Sequence, residues 1–162
     1  MEITLALGVA AISFMAVFAL IPVGLQTNQT SYEAAAAINI ARAILTDLRN
    51  TPITYPKANT NSPRFGITVP ATALTSHTLF FTSDGQAGGQ DIDAIPSQNP
   101  RYRATITITP PTIATIKTAT LVRVLISWPA LADPTAGTAP SRYVGSYESI
   151  AALDRADMRY GN

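Results

Sequence analysis

ITLALGVAAISFMAVFALIPVGL, residues 3–25, has only Thr4 and Ser13 as polar side chains, and no charged residue lies between Glu2 and Glu33. A helix of about 20 apolar residues spans a hydrocarbon layer about 30 Å thick, so this run is long enough to cross one. The core helix of a small soluble domain would show a polar face instead. A cleaved signal peptide is the competing reading, and it calls for a basic start and an apolar stretch of about 7–15 residues. Here no Lys or Arg precedes the run, and helix-favouring sequence follows it directly. The stretch reads as a retained helix that packs in lipid or against copies of itself.

Downstream, QTNQTSYEAAAAINIARAILTDLRN (26–50) changes character. Ile38, Ala41, Leu45 and Leu48 recur at spacings of three and four, with Ile44 beside them, which is one apolar stripe of an amphipathic helix. Glu33, Arg42, Asp47 and Arg49 fall mostly off that stripe. The run Ala34 to Ala37 favours helix, and Thr51-Pro52 ends it because the residue before proline avoids the helical region. One helix is predicted from the start to about Asn50, roughly 70–75 Å long at 1.5 Å per residue. A rod of that length must protrude from a head about 30 Å across. Pro22 and Gly24 interrupt it, and two outcomes are expected there: a kink or a locally unwound segment.

From Thr51 the composition turns to threonine, proline and glycine. Residues 51–64 hold three prolines and read as an irregular connection. Phe65–Val69 and Thr78–Thr82 are short strand candidates, and Asp84-Gly85 is a turn signal. Residues 84–100 read as a glycine-rich loop. In Arg101–Thr109 the residues alternate, with Tyr102, Ala104, Ile106 and Ile108 on the apolar face. Ile116–Trp128 is predicted as a central strand, paired antiparallel with the one before it and carrying Val122, Val124, Ile126 and Trp128 on one face. Residues 129–140 read as a loop. Ser141–Leu153 is a last strand candidate, although SIAALDR also fits a helix. A sheet with one apolar face must be covered, and residues 26–50 form the only amphipathic helix to do it. The expected fold is therefore α+β. A long protruding N-terminal helix (1–50) packs its C-terminal half on a small antiparallel sheet within a β-rich head (51–162), and residues 1–25 are left as a bare apolar rod.

Composition narrows the chemistry. Charged residues make up 13% of the chain, against about 25% in a typical domain. The net charge of +1 offers no basic surplus for a nucleic-acid partner. The chain has no cysteine and one histidine, His77, which removes thiolate chemistry and a multi-histidine zinc site. His77 reads as an ordinary surface histidine, since no nucleophile-elbow pattern accompanies it. Asp84, Asp91 and Asp93 share a loop with Gly85, Gly88 and Gly89, where a calcium ion is one reading and plain turn chemistry the other. Arg101, Tyr102 and Arg103 read either as a small basic and aromatic patch or as a solvated sheet face. Asn28-Gln29-Thr30 fits a glycosylation sequon. No catalytic, cofactor-binding or metal-binding residue is assigned, and an enzyme is not expected.

Taken together, Glu2, the charge-free helix Ile3 to Leu25, the internal Pro22, the amphipathic continuation to Asn50 and the threonine-rich sheet resemble the type IV pilin family, including the pseudopilins of type II secretion systems. A carboxylate at the head of an otherwise charge-free apolar helix is costly in lipid, which makes Glu2 the telling residue. The resemblance implies a basic leader removed by a dedicated peptidase, a methylated N-terminal residue, and a glutamate that neutralises the terminal amine of a neighbouring subunit. By its context Glu2 matches that glutamate. The sequence departs from the family pattern in showing no basic leader and no phenylalanine before Glu2; the chain is expected to begin inside a longer precursor, the alternative being that Met1 is itself the mature start. The family's common C-terminal disulfide is absent too, so the loops near residues 129–162 are expected to be held by packing.

The expected function is that of a structural subunit of an extracellular or periplasmic pilus-like filament. Glu2, Pro22 and Gly24 are its candidate assembly residues. The subunit would be anchored in the inner membrane before assembly and would then join copies of itself in a helical filament. A pilus or type II secretion assembly machine would be its other partner. Small residues along the rod (Ala6, Gly8, Ala10, Ala11, Ser13, Ala16 and Ala19) would permit close helix approach. The alternatives are a minor or tip pseudopilin and a monomeric single-span protein whose β domain binds a ligand or peptide at an edge strand.

Overall fold

Residues 2–52, 59–71, 73–88, 99–110, 119–132 and 143–153 are described in a computed structural model of the chain. It divides into two units, residues 1–35 and 36–162. The helix α1 (Glu2–Arg49) contributes to both. Its C-terminus lies within a residue of the expected end. There the Thr51 hydroxyl donates to the Asp47 carbonyl (3.1 Å), satisfying one of the acceptors that every helix end leaves over.

Six strands follow α1: β1 (Thr60–Asn61), β2 (Thr68–Val69), β3 (Thr75–Phe81), β4 (Tyr102–Thr109), β5 (Thr120–Trp128) and β6 (Gly145–Leu153). β1 and β2 form a two-stranded ribbon, and the other four form an antiparallel sheet in the order β3-β4-β5-β6. The fold is α+β, with the C-terminal part of the long helix packed on this sheet, as the sequence predicts. β5 is an inner strand paired antiparallel with β4. β6 is a strand through Leu153, so the helical alternative fails for residues 149–153. The remainder of SIAALDR, residues 154–155, lies outside the described residues, as do 116–118 and 141–142 of the two expected strands.

Some strand bounds need correction. Only Thr68–Val69 of the candidate Phe65–Val69 is strand. Gly66 takes a positive φ of 66°, and its N–H donates to the Ser62 carbonyl (3.1 Å), so the chain turns at 62–66 before it extends. The expected irregular connection 51–64 contains β1, and Thr78–Thr82 gives way to a strand that starts earlier, at Thr75.

The core lies between α1 and one face of the sheet. Ile106 and Ile108 of β4 and Val122, Val124 and Ile126 of β5 are fully buried there, as the alternation requires. Ala37, Ile40, Ala41, Ile44 and Leu48 complete the cluster from the helix side. The buried face is therefore turned from the expected one. Ile38 and Leu45 are half-buried, while Ile40 and Ala37 lie inside. Ala37 and Ala41, both buried, leave room for the helix backbone to approach the sheet. Full burial of each large aliphatic side chain contributes about 1.5–3 kcal/mol.

Asp47 and Glu33 are also buried, contrary to their expected placing off the stripe, whereas Arg42 and Arg49 are exposed. For Asp47 the reason is explicit. Its two carboxylate oxygens accept the backbone N–H groups of Arg64 (2.9 Å) and Phe65 (3.0 Å). The carboxylate thus ties the end of α1 to the turn before β2.

Candidate assembly surface

Glu2 opens α1, and every described side chain from Ile3 to Tyr32 is exposed. The large apolar ones include Leu5, Ile12, Phe14 and Phe18, with Phe14 66% exposed and Phe18 65%. At about 100° per residue these positions together with the exposed Met15, Val17 and Leu20 fall on all sides of the helix, so residues 3–25 have no polar face to turn to water. A helix apolar all round is stable only when buried, and exposed apolar surface on this scale marks an interaction site. By length and composition α1 is able to cross a membrane.

The few interruptions leave the rod apolar and smooth. The Ser13 hydroxyl donates to the Val9 carbonyl (2.8 Å) and so is satisfied within the helix. At Gly8 and at Gly24 an added Cβ would meet nothing within 4 Å. A glycine inside a helix costs about 1 kcal/mol relative to alanine, and among the described residues no contact requires either one. Both leave the backbone open to close approach from outside. Pro22 lies inside α1, and helix is assigned on both sides of it. The local unwinding considered from the sequence is not found in the isolated chain.

In the head, the expected chemical candidates separate. Tyr102 is 1% exposed on the core face, with its ring edge-on to Trp128 (6.0 Å), while Arg103 lies on the opposite face over Phe80 (5.9 Å). Neighbours in a strand point to opposite faces, so Arg101, Tyr102 and Arg103 form no common patch. His77 is half-buried on the core side, with Nε2 3.2 Å from the Thr68 carbonyl. It links the sheet to the β1–β2 ribbon and is not a plain surface residue. Asp84 and Gly85 form the expected turn, with Gly85 at φ 75° and the Ser83 hydroxyl donating to Asp84 (2.8 Å). Asp91, Asp93 and Gly89 lie outside the described residues. Among the described residues no group of three or more potential ligands is placed to hold a metal ion.

The outer face of the sheet carries one well-formed ion pair. Arg123 Nε donates to Glu148 Oε1 (2.7 Å) and its NH2 group to Oε2 (3.1 Å), across β5 and β6. The hydrogen bonds from Arg123 hold the Glu148 carboxyl below its ordinary value, and the same contact raises the guanidinium. Leu121 and Ile150, both more than half exposed, flank the pair.

Asp47 is the functional-looking residue that sequence reading misses. The available signal is electrostatic: a carboxylate in the last turn opposes the helix dipole, so a compensating partner has to be found elsewhere. Compared with protein-family models, curated proteins and solved structures, the chain matches none.

Proposed function

We propose that this chain is a structural subunit of a pilus-like filament, held in a membrane by α1 before assembly and polymerising through bundled helices afterwards. The observation that carries the reading is a helix apolar on every side from Ile3 to Leu25, with every described side chain there exposed, in one chain with a folded head. In water that surface has no stable place. A bilayer accepts it in one state, and a bundle of copies accepts it in another.

Within this reading Glu2 pairs with the terminal amine of a neighbouring copy, which removes two unpaired charges from an apolar surrounding. Gly8 and Gly24 let neighbouring helix backbones approach closely. The β-rich heads form the outer coat. Processing and methylation of the terminus belong to the same proposal.

Electron microscopy of filaments sheared from the native source, with mass spectrometry of their content, tests it. Thin uniform filaments made mainly of this chain are the expected result. Filaments holding it only in traces would assign a minor or tip role. A chain found only as a membrane-bound monomer would overturn the polymer reading and leave the head to be tested as a binding module.

A further inference from the structure

The charge-free segment of α1 does not end where its apolar run ends. Residues 26–31, QTNQTS, are polar on all sides and exposed, yet carry no charge, and the first charged side chain after them is the buried Glu33. A helix polar all round either bridges domains through solvent or is stabilised by many i,i+4 pairs, and no charged pair is available within 26–31. The hydroxyls turn inward instead: Thr30 donates to the Gln26 carbonyl (2.9 Å) and Ser31 to the Thr27 carbonyl (2.9 Å). Tyr32 follows, exposed, and is the only aromatic residue between Phe18 and Tyr55.

We infer that residues 26–32 form a collar seated in the phospholipid headgroup layer, with Tyr32 as its anchor. This rests on the membrane-anchored state proposed above. The lengths agree. Ile3–Leu25 rises about 34 Å at 1.5 Å per residue, or about 32 Å along the bilayer normal at an ordinary tilt near 20°. The hydrocarbon layer is about 30 Å thick, and headgroups add about 5–7 Å on each side. The collar rises about 10 Å, enough to cross that layer.

The chemistry agrees as well. Headgroups supply partners for the amides of Gln26, Asn28 and Gln29. Hydroxyls already bonded to their own helix lose little at the apolar boundary. A tyrosine has an apolar ring and a wet hydroxyl, which suits the interface. The collar carries no Lys or Arg, so it offers no basic group of its own to anionic lipid.

The absence of cysteine from the chain allows a direct test on the full-length protein. Single cysteines at Phe18→Cys, Gln29→Cys and Ser83→Cys are spin-labelled in phosphatidylethanolamine–phosphatidylglycerol vesicles. Depth is read from the ratio of collisions with oxygen and with a water-soluble nickel chelate. The expected order is deep at residue 18, headgroup-level at 29 and aqueous at 83. Tyr32→Ala shifts the residue-29 label in depth, and Tyr32→Trp leaves it in place.

With residue 18 deep, a residue-29 label as aqueous as 83, or as deep as 18, overturns the collar while the anchor stands. An unchanged residue-29 depth in Tyr32→Ala overturns the anchoring role of Tyr32. A residue-18 label as aqueous as 83 removes the membrane state itself, and the collar with it.

Discussion

A Cβ placed on Gly145 would stand 2.3 Å from Cζ2 of Trp128 and 2.7 Å from its Cε2. The two residues are register partners on β6 and β5, and both face the core. The indole occupies the space that any other residue at 145 would fill, and its ring and that of Tyr102 stand at 70° to each other, 6.0 Å apart. Gly145 is required by a close approach across the sheet.

Gly145→Ala is therefore expected to destabilise the head by about 1–3 kcal/mol, the usual cost of overpacking. Trp128 is the only tryptophan of the chain, so its fluorescence during denaturant unfolding of the full-length protein in micelles reports the change. Adding Trp128→Phe should recover part of the loss, read by circular dichroism because that variant has no tryptophan. An unchanged midpoint in Gly145→Ala would show that the indole moves aside without cost.

Asp47→Ala leaves the N–H groups of Arg64 and Phe65 without their carboxylate acceptors. Hydrogen bonds to charged groups contribute about 1.5–3 kcal/mol each, and a buried orphan donor adds its own penalty. A loss of about 3 kcal/mol is expected for alanine. Asp47→Asn keeps one carbonyl acceptor and should lose less. Amide hydrogen exchange at residues 64 and 65 should quicken in both, and exchange as slow as in the parent would refute the tie.

The Arg123–Glu148 pair gives a pH dependence of fixed sign. The Glu148 carboxyl is lowered in the folded state, chiefly by the hydrogen bond from Arg123. Its contribution is present above the unfolded carboxylate range and is lost as pH falls through the lowered folded value. The Arg123 guanidinium is raised, so its part is present throughout neutral and acid pH until Glu148 is protonated. Both side chains are well exposed, and the effect is small and screened by salt. Glu148→Gln should lower the unfolding midpoint at neutral pH and low salt, with the difference from the parent vanishing in strong acid or high salt. A difference that persists in acid would assign the effect to packing.

Under the proposed function, Glu2→Gln should reduce filament yield sharply while the head unfolds at the parent's midpoint. The neutral amide removes the charge that pairs with a neighbour's amine. Undiminished filaments from this variant would eliminate that pairing.

Replacing Pro22 tests whether assembly uses a change in the helix. Proline inside a helix costs about 3 kcal/mol and glycine about 1 kcal/mol relative to alanine. Pro22→Ala with Gly24→Ala therefore stiffens α1 without touching the head. If polymerisation unwinds this segment, the double variant should assemble poorly although it inserts in membranes normally. Parent-level assembly would show that an unbroken α1, as in the isolated chain, is also the assembled form.

Periodicity by itself determined the long helix and the two inner strands, though not the bounds of the shorter strands. The charge-free run 3–25, the spacing of three and four in 26–50 and the alternation in 101–109 are properties of neighbouring residues, and backbone geometry converts them directly into helix, amphipathic helix and strand. The core faces of β4 and β5 were legible for the same reason: a period of two leaves only two choices, and one of them is polar. A helix offers a continuous range of rotations about its axis. Which part of the 36–49 surface meets the sheet was decided by tertiary packing, and it buries Ala37 and Ile40 while Ile38 and Leu45 lie at the margin.

Long-range partners were beyond local reading altogether. Asp47 finds its donors 17 and 18 residues away, His77 meets Thr68 through a ribbon only two residues long, and Gly145 answers to Trp128 across a strand pair. Each depends on where separate segments meet, which the tertiary structure alone determines. The exposed N-terminal half of α1 is the opposite case. Among the described residues nothing covers it, and the apolar run that sets it apart is already plain in the sequence.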